Sequence, residues 1–392
     1  MGVKKVLVVL GTRPEAIKLA PVIKKLQAAE RLKPRLAATG QHREMLAQVL
    51  ELFNLEPDYN LEVMAPGQDL IDLTAVMLKQ LKPILAAEKP DLVLVQGDTA
   101  TTLTAALAAR LNKLSVAHVE AGLRSYRRFS PYPEEINRQV VSRLTDLHLA
   151  PTAKNKANLQ REGIDSRRIL VTGNPVIDAL QLVVSPDYAF DLPSLAELNF
   201  DRWEVILVTA HRRENWGQPL INLCRALKEV VREQKQVKII FPVHLNPVVK
   251  NKVEAHLGGV DRVKLLKPLS YPEFVNLMAR ARLVVTDSGG IQEEAPGLDK
   301  PVLVVREITE RQEALAAGTI KLVGTDKDQI KQTIIDLLTD PAQYRAMTGA
   351  KNPYGDGRAS RRIIEGIKYF FGWRERPGEI EFKSEPRGRA NN

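Results

Sequence analysis

The sequence of 392 residues predicts an α/β protein with two doubly wound domains. Short apolar runs alternate with longer stretches whose apolar residues recur at three- and four-residue spacing, which is typical of parallel βαβ units. The series ends at the turn-rich segment Thr172–Pro175 and then begins again. The length also fits two domains of roughly 100–200 residues each.

The apolar runs place the individual strands. The strands predicted in the first half are Val3–Leu10, Arg35–Thr39, Leu92–Gln96 and Ser115–Val119. Those predicted in the second half are Glu204–Val208, Val237–Phe241, Val263–Leu266, Leu283–Thr286 and Pro301–Val305. Pro21 lies inside the first helical pattern and predicts a kink or a short first helix.

The restart of the pattern sets the expected domain limits. The first domain should span residues 1–172 and the second residues 173–359. A helix at about 360–372 is expected to pack back on the first domain, and 378–392 is expected to be a disordered tail.

Composition argues against several classes of protein. Cys224 is the only cysteine, which excludes an internal disulfide and a cysteine-based metal site. No segment approaches the roughly 20 apolar residues of a membrane-spanning helix, and the N-terminal apolar run is too short for a signal peptide. We therefore expect a cytoplasmic protein without a membrane partner.

The net charge of +10 is compatible with an anionic partner. The basic excess is spread thinly, however, and aromatic residues make up only 5%, which is poor for base stacking. We expect no nucleic acid as partner, whereas a small phosphorylated ligand would need only a few of these cations.

The first strand end carries cations. Ligands of doubly wound sheets bind beyond the carboxyl ends of the strands. After the first strand come Gly11, Arg13 and Lys18. A single glycine does not make a dinucleotide fingerprint, whereas a basic turn that opens a helix suits a phosphate. The alternative is an ordinary basic surface turn.

Three acids follow the next strands. Asp98 and Glu120 come directly after strands, and Glu134 follows a proline at a helix start. Asp98 could equally cap a helix, and Glu134 could pair with Arg138 within one. Three carboxylates near one sheet edge nevertheless favour acid–base chemistry, because burial and repulsion would shift their pKa values. His118, inside a strand, is expected to be a core histidine.

The second half offers groups for an anion. His211 and Arg212 follow one strand, and His244 follows another. Ser288-Gly289-Gly290 opens a helix, where small residues and free amides can cradle a phosphate, and Glu294 lies one turn further on, in reach of ribose hydroxyls. The residues therefore predict a nucleoside-diphosphate ligand and acid–base chemistry, without identifying a sugar.

Taken together and in order, seven motifs resemble those of the non-hydrolysing UDP-N-acetylglucosamine 2-epimerases. The resemblance runs from about Lys5 to about Tyr369. The motifs are Gly11–Glu15, Gly40–His42, Gln96–Asp98, His118–Arg124, Pro133–Glu135 with Asn137–Arg138, Thr209–Asn215 and Asp287–Gly290.

The resemblance implies a GT-B-type fold of two Rossmann-like domains with the active site between them. It implies the interconversion of UDP-N-acetylglucosamine and UDP-N-acetylmannosamine for cell-surface polysaccharide synthesis, by a homodimer without redox cofactor or metal. The implied catalytic residues are Asp98, Glu120, Glu134, Arg138 and His211. The other residues implied to bind substrate are Arg13, Lys18, Phe274, Ser288, Gly289, Gly290, Glu294 and Arg311.

The implied reaction is an elimination. The C2 proton has no adjacent carbonyl, so UDP would leave C1 as that proton is lost, giving 2-acetamidoglucal, and would add back after protonation on the other face. Carboxylates would move the protons. Which carboxylate serves which face stays open.

Some relatives also bind UDP-N-acetylglucosamine at a second, activating site. The matching positions are Gln41, His42, Arg212 and His244. Gly67 stands where some members carry an arginine, and Gln312 replaces a proline usually found after the residue matching Arg311. The first departure bears on the regulatory site, and the second is expected to be minor.

Three alternatives compete with this reading. A hydrolysing epimerase would release the free sugar and UDP, and a GT-B-type glycosyltransferase would need an acceptor groove. A non-catalytic sugar-nucleotide sensor would need no catalytic acids, and the three acids Asp98, Glu120 and Glu134 argue against it.

Overall fold

The computed structural model describes residues 2–40, 43–65 and 67–380, without the side chains of Arg43 and Glu44. The chain divides into two compact units. The N-terminal unit runs to Ala179 and resumes at Tyr354, and the C-terminal unit is Leu180–Pro353. The part of the expected tail from residue 381 onward lies outside the described residues.

The N-terminal unit contains a seven-stranded, all-parallel sheet in the order β3-β2-β1-β4-β5-β6-β7. Its strands are β1 Lys4–Leu10, β2 Leu32–Ala38, β3 Tyr59–Asn60, β4 Leu92–Gln96, β5 Ser115–Val119, β6 Leu147–Ala150 and β7 Ile169–Val171. The helices are α1 Arg13–Gln27, α2 Arg43–Leu52, α3 Leu70–Glu88, α4 Ala100–Leu111, α5 Glu134–Leu144, α6 Ala153–Arg161 and α7 Pro175–Val183, with a 3₁₀ turn at Ser166–Arg168. Helix α7 crosses the boundary between the units.

The C-terminal unit contains a six-stranded parallel sheet in the order β10-β9-β8-β11-β12-β13. Its strands are β8 Glu204–Thr209, β9 Val237–Pro242, β10 Val263–Leu266, β11 Leu283–Thr286, β12 Val302–Val304 and β13 Ile320–Leu322. The helices are α8 Pro193–Ala196, α9 Gln218–Glu233, α10 Pro247–Leu257, α11 Tyr271–Arg280, α12 Ile291–Glu294, α13 Gln312–Ala317, α14 Lys327–Thr339 and α15 Pro341–Thr348, with 3₁₀ turns at Arg213–Asn215 and Ala295–Leu298. The last helix, α16 Ala359–Phe370, contacts α1 and β6 of the N-terminal unit.

The predicted fold class of two doubly wound α/β domains is confirmed. The central strands are continuous apolar runs because helices cover both faces of a parallel sheet, and Val6–Leu10 of β1 are all buried. Strand order reverses between β1 and β4 in one sheet and between β8 and β11 in the other. Those reversals mark the strand ends where such folds bind ligands.

The expectation of a short first helix is wrong, because α1 continues for 15 residues through Pro21. A capping box closes its first turn: the Thr12 side chain accepts from the Glu15 amide, and the Glu15 carboxylate accepts from the Thr12 amide. Leu19, Ile23 and other apolar residues bury one face of the helix. This burial offsets the hydrogen bond that Pro21 cannot donate.

No helix among the described residues combines the length and the apolar character that crossing a bilayer would require.

Candidate active site

In the N-terminal unit, Glu120 is held at the end of β5 by polar partners. Its oxygens lie 2.6 and 2.8 Å from the ammonium of Lys18, and the amide of Gln96 donates to one of them. Asn174 donates to the other at 3.4 Å. The backbone of Glu120 has φ = 66°, a left-handed conformation that is costly for a residue with a Cβ. Such strain is typical of functional positions.

Asp98 does not cap α4, which corrects one of the two readings of its position. The side chain of Thr99 is the cap and accepts from the Thr102 amide. The carboxylate of Asp98 instead accepts from Arg138 at 2.8 Å. Burial raises the pKa of Asp98, Arg138 opposes that rise, and Glu120 and Glu134 add to it. A carboxyl with a raised pKa is suited to exchanging protons.

The alternative role of Glu134, an ion pair with Arg138 within the helix, is absent from the described contacts. Arg138 pairs instead with Glu135, through Nε at 3.0 Å and Nη2 at 2.8 Å, as well as with Asp98. Glu135 is fully buried and also accepts from the amides of Ser125 and Tyr126. Arg138 is therefore oriented towards Asp98 from a fixed position.

Glu134 is left with one buried oxygen, Oε2, that has no hydrogen-bond partner within the described part of the chain. A buried polar atom without a partner is costly, so its presence calls for an explanation, of which a catalytic role is one. We refer to Asp98, Glu120 and Glu134 as the carboxylate cluster. The charges of Glu120 and Glu134 both raise the pKa of Asp98, so the three acids lie in one electrostatic neighbourhood.

Three positioning residues were missing from the sequence-based site. Glu15 is buried, and its carboxylate accepts from the amides of Gly11 and Thr12 at 2.7 Å and from the Thr99 hydroxyl at 2.5 Å. It therefore ties the turn of Arg13 to the turn of Asp98. The capping pattern Thr12-x-x-Glu15 was a signal for the first contact, but nothing local indicates the second.

The other two positioning residues hold the backbone on either side of the Asp98 amide. Nε2 of His118 lies 2.7 Å from the carbonyl oxygen of Gly97, and Asn137 donates to the carbonyl oxygen of Asp98 at 2.8 Å. His118 is fully buried, so its expected place in the core is confirmed. Arg13, by contrast, is an exposed residue at the start of α1.

In the C-terminal unit, Asp287 organises the loop after β8. It is 1% exposed, and it accepts from the amides of His211 and Arg212 and from the side chain of Asn215 at 3.0–3.1 Å. The ring of His211 stacks on that of His244, with centroids 6.1 Å apart. Burial lowers the pKa of His211, Asp287 opposes the shift, and His244 and Arg212 reinforce it.

The turn Ser288-Gly289-Gly290 follows β11 beside arginines. A Cβ placed on Gly289 would lie 3.4 Å from Nη2 of Arg212 and 3.5 Å from Nη2 of Arg311. Helix α12 has only four residues, so the helix-dipole contribution expected for this turn is small. Positive charge at this turn comes mainly from Arg212 and Arg311. We refer to the loops after β8, β11 and β12 as the anion loops.

The other residues predicted from the sequence lie at several different places in the fold. Oε1 of Glu294 would lie 3.4 Å from a Cβ on Gly290, so this acid adjoins the turn. Phe274 is half-buried on α11, which contacts the 3₁₀ turn Ala295–Leu298. Gly67 is exposed with φ = 76°. Gln41 and His42 lie outside the described residues.

Across residues 2–40, 43–65 and 67–380, no group of three or more His, Cys, Asp or Glu side chains is arranged to hold a metal ion.

Comparisons with known proteins identify one family. The family model described as UDP-N-acetylglucosamine 2-epimerase matches residues 24–368. A Bacillus subtilis protein named UDP-N-acetylglucosamine 2-epimerase is 47% identical over 371 residues, which is 95% of this chain and 97% of that protein.

Two solved structures are also similar over nearly the whole chain. The Neisseria meningitidis UDP-GlcNAc 2-epimerase bound to UDP-GlcNAc is 44% identical, with a TM-score of 0.83 over 93% of this chain and all of that one. The S. aureus MnaA–UDP co-structure is 44% identical, with a TM-score of 0.86 over 96% of this chain and all of that one.

Proposed function

The chain belongs to the UDP-N-acetylglucosamine 2-epimerase family, and we propose that it interconverts UDP-N-acetylglucosamine and UDP-N-acetylmannosamine without net hydrolysis. The observation that carries the proposal is the carboxylate cluster, in which Asp98 has a raised pKa and Glu120 lies against an ammonium. The anion loops supply the complementary half, a glycine turn bordered by arginines.

The anion loops bind the UDP part of the substrate in this proposal. The similar structures from Neisseria meningitidis, bound to UDP-GlcNAc, and from S. aureus, bound to UDP, support the choice of ligand. Arginine guanidinium groups suit phosphate oxygens because they present several donors in a fixed plane. The residues assigned to the diphosphate are Arg13, His211, Ser288, Gly289, Gly290 and Arg311, with Lys18 nearby, Glu294 at the ribose and Phe274 near the uracil.

The proposed reaction begins with elimination. A carboxylate takes the proton from C2, the C1–O bond breaks, and its electron pair leaves with the β-phosphate of UDP as the C1–C2 double bond forms. Charge therefore grows on the departing phosphate oxygen, where arginines and the Ser288–Gly290 amides stabilise it. The reverse addition, with a proton delivered to the opposite face of C2, gives the epimer.

Two protonation states are needed in each cycle, since one carboxylate accepts the C2 proton in the elimination and a group on the opposite face donates a proton in the addition. Glu120 is suited to remain ionised beside Lys18, and Asp98 is suited to carry a proton because its pKa is raised. Arg138 orients Asp98. General acid–base steps of this kind contribute about 10²–10⁴-fold each.

We also infer a homodimer that works in the cytoplasm and supplies cell-surface polysaccharide synthesis. A second, activating site for UDP-N-acetylglucosamine is proposed beside Arg212 and His244. The stacking of His244 on His211 supports that position, because it joins the proposed regulatory residue to a proposed substrate-binding residue. A strictly hyperbolic reverse reaction without activation by UDP-N-acetylglucosamine would remove the second site.

Proton NMR of the purified protein with UDP-N-acetylglucosamine in D₂O tests the proposal. We expect UDP-N-acetylmannosamine to appear and both epimers to acquire deuterium at C2. Free N-acetylmannosamine and UDP as main products would identify a hydrolysing enzyme. Binding of UDP without any reaction would indicate a sensor or a glycosyltransferase.

A further inference from the structure

We propose that Glu310 is a built-in counter-ion of the anion loops, which the diphosphate of a nucleotide must displace from the arginines when it binds. The inference rests on the proposed function, because it concerns the same diphosphate site. It adds a residue that competes with the ligand for the arginines and thereby lowers the affinity of the site for that ligand.

Glu310 meets three arginines from two loops. Its Oε1 lies 3.1 Å from Nη2 of Arg212 and 3.2 Å from Nη1 of Arg311, and its Oε2 lies 2.8 Å from Nη1 of Arg306. Arg212 follows β8, whereas Arg306, Glu310 and Arg311 follow β12. A single carboxylate thus draws both loops together.

The same carboxylate borders the glycine turn. A Cβ on Gly289 would lie 3.1 Å from Oε1 of Glu310, which is closer than either neighbouring guanidinium. The space above Gly289 is therefore already shared by one anion and two cations. A phosphate oxygen bound above Gly289 would need the same cations.

The carboxylate is ionised at every pH at which the protein would work. Burial raises the pKa of Glu310, but Arg311, a backbone hydrogen bond, Arg306 and Arg212 together outweigh burial and lower the pKa to about 2. A phosphate approaching Arg311 meets the negative charge of Glu310 on the same guanidinium. Because two anions cannot share these donors without repulsion, the ligand gains only the difference between its own contacts and those of Glu310.

No other acid nearby contacts all three arginines among the described contacts. Glu293 pairs with Nε of Arg311 at 2.7 Å, and Glu214 lies 3.7 Å from Arg212 and 3.4 Å from Arg306. Glu307 lies on the same loop as Glu310, is exposed, and accepts from the hydroxyl of Thr325. Glu307 is therefore a matched control that changes the charge of the loop by the same amount.

Isothermal titration calorimetry of the full chain tests the inference, with UDP and inorganic pyrophosphate as probes. Glu310→Gln should bind both probes about three- to tenfold more tightly than wild type, whereas Glu307→Gln should stay within about twofold. Glu310→Ala, which removes the remaining hydrogen-bonding atoms, should bind at least as tightly as Glu310→Gln. High salt should reduce the gain, because the competing contact is ionic.

The outcomes separate this inference from the proposed function. Glu310 variants that bind both probes like wild type, or more weakly, overturn the counter-ion role. If UDP binds none of the proteins, the proposed nucleotide site fails, and the pyrophosphate ratio between Glu310→Gln and wild type still decides the role of Glu310. Absence of binding by either probe to any variant overturns both.

Discussion

The carboxylate cluster and the anion loops occupy comparable positions, since each lies beyond the carboxyl ends of strands in a parallel sheet, next to the point where strand order reverses. They differ in how charge is balanced. In the cluster, burial outweighs the cations and the pKa of Asp98 rises. In the anion loops, arginines outweigh burial and the pKa of Glu310 falls to about 2. One topology thus yields a site suited to exchanging protons and another suited to holding negative charge.

The largest expected effect is the loss of proton transfer. Asp98→Asn, Glu120→Gln and Glu134→Gln should each lower turnover by at least about a hundredfold while changing UDP affinity less. The measurement is kcat in the epimerisation assay together with a UDP titration. Glu56→Gln, an exposed acid of the same unit, should behave like wild type. An acid whose variant keeps near-normal turnover has no part in the chemistry.

A smaller effect of the opposite kind is expected in the anion loops. Arg311→Lys keeps the charge but loses the planar donors, so UDP affinity should fall by about tenfold. Calorimetry with UDP measures this change, and Arg232→Lys on the exposed face of α9 is the matched control. An unchanged UDP affinity would exclude Arg311 from the diphosphate site.

The third effect is an acid sensitivity of the N-terminal unit. Burial lowers the pKa of His118 to about 4 and that of His148 to about 3, below their usual 6.5. The unfolded chain then binds more protons below pH 6.5, so this stability is complete above 6.5 and is lost as the pH falls towards 4 and 3.

The fully buried His148 offers the test of that sensitivity. Urea unfolding at pH 7 and pH 5 should show a smaller loss for His148→Leu than for wild type, by about 1 kcal/mol or more. Equal losses in the two proteins would contradict the assignment.

The smallest effect on stability is expected for a carboxylate in a surface ion pair. Glu229 lies on α9 and pairs with Lys327 at 2.8 Å. Glu229→Gln should lower the free energy of unfolding by less than about 1 kcal/mol and leave UDP affinity unchanged. Urea unfolding and calorimetry provide both values. A changed UDP affinity would show that charge alone, without position, controls the anion loops.

Much of the fold was predictable because parallel strands are continuous apolar runs. The predicted Leu92–Gln96, Ser115–Val119, Val263–Leu266 and Leu283–Thr286 are strands with the same limits in the structure. The length of α1 was not predictable from Pro21, since tertiary burial outweighs a local preference. Local sequence preferences estimate how readily a segment forms a helix, but they do not account for the burial of that helix against the sheet.

The candidate site was also predictable only in part. The strand ends pointed to Asp98 and Glu120 in one sheet and to His211 in the other, because topology brings such positions to the carboxyl edge of each sheet. Partner choice could not be read from spacing: Arg138 is four residues from Glu134, yet it pairs with Glu135 and with the distant Asp98. The contact between Glu310 and Arg212 spans 98 residues and has no local signal.

The central claim is that carboxylates break the C2–H bond while the anion loops hold the departing UDP. Positional isotope exchange tests it most directly, using UDP-N-acetylglucosamine with ¹⁸O in the bridge between C1 and the β-phosphate. The account predicts that ³¹P NMR will show label moving from the bridge to non-bridging β-phosphate oxygens as the epimer forms. Epimerisation with all label still in the bridge would contradict the account.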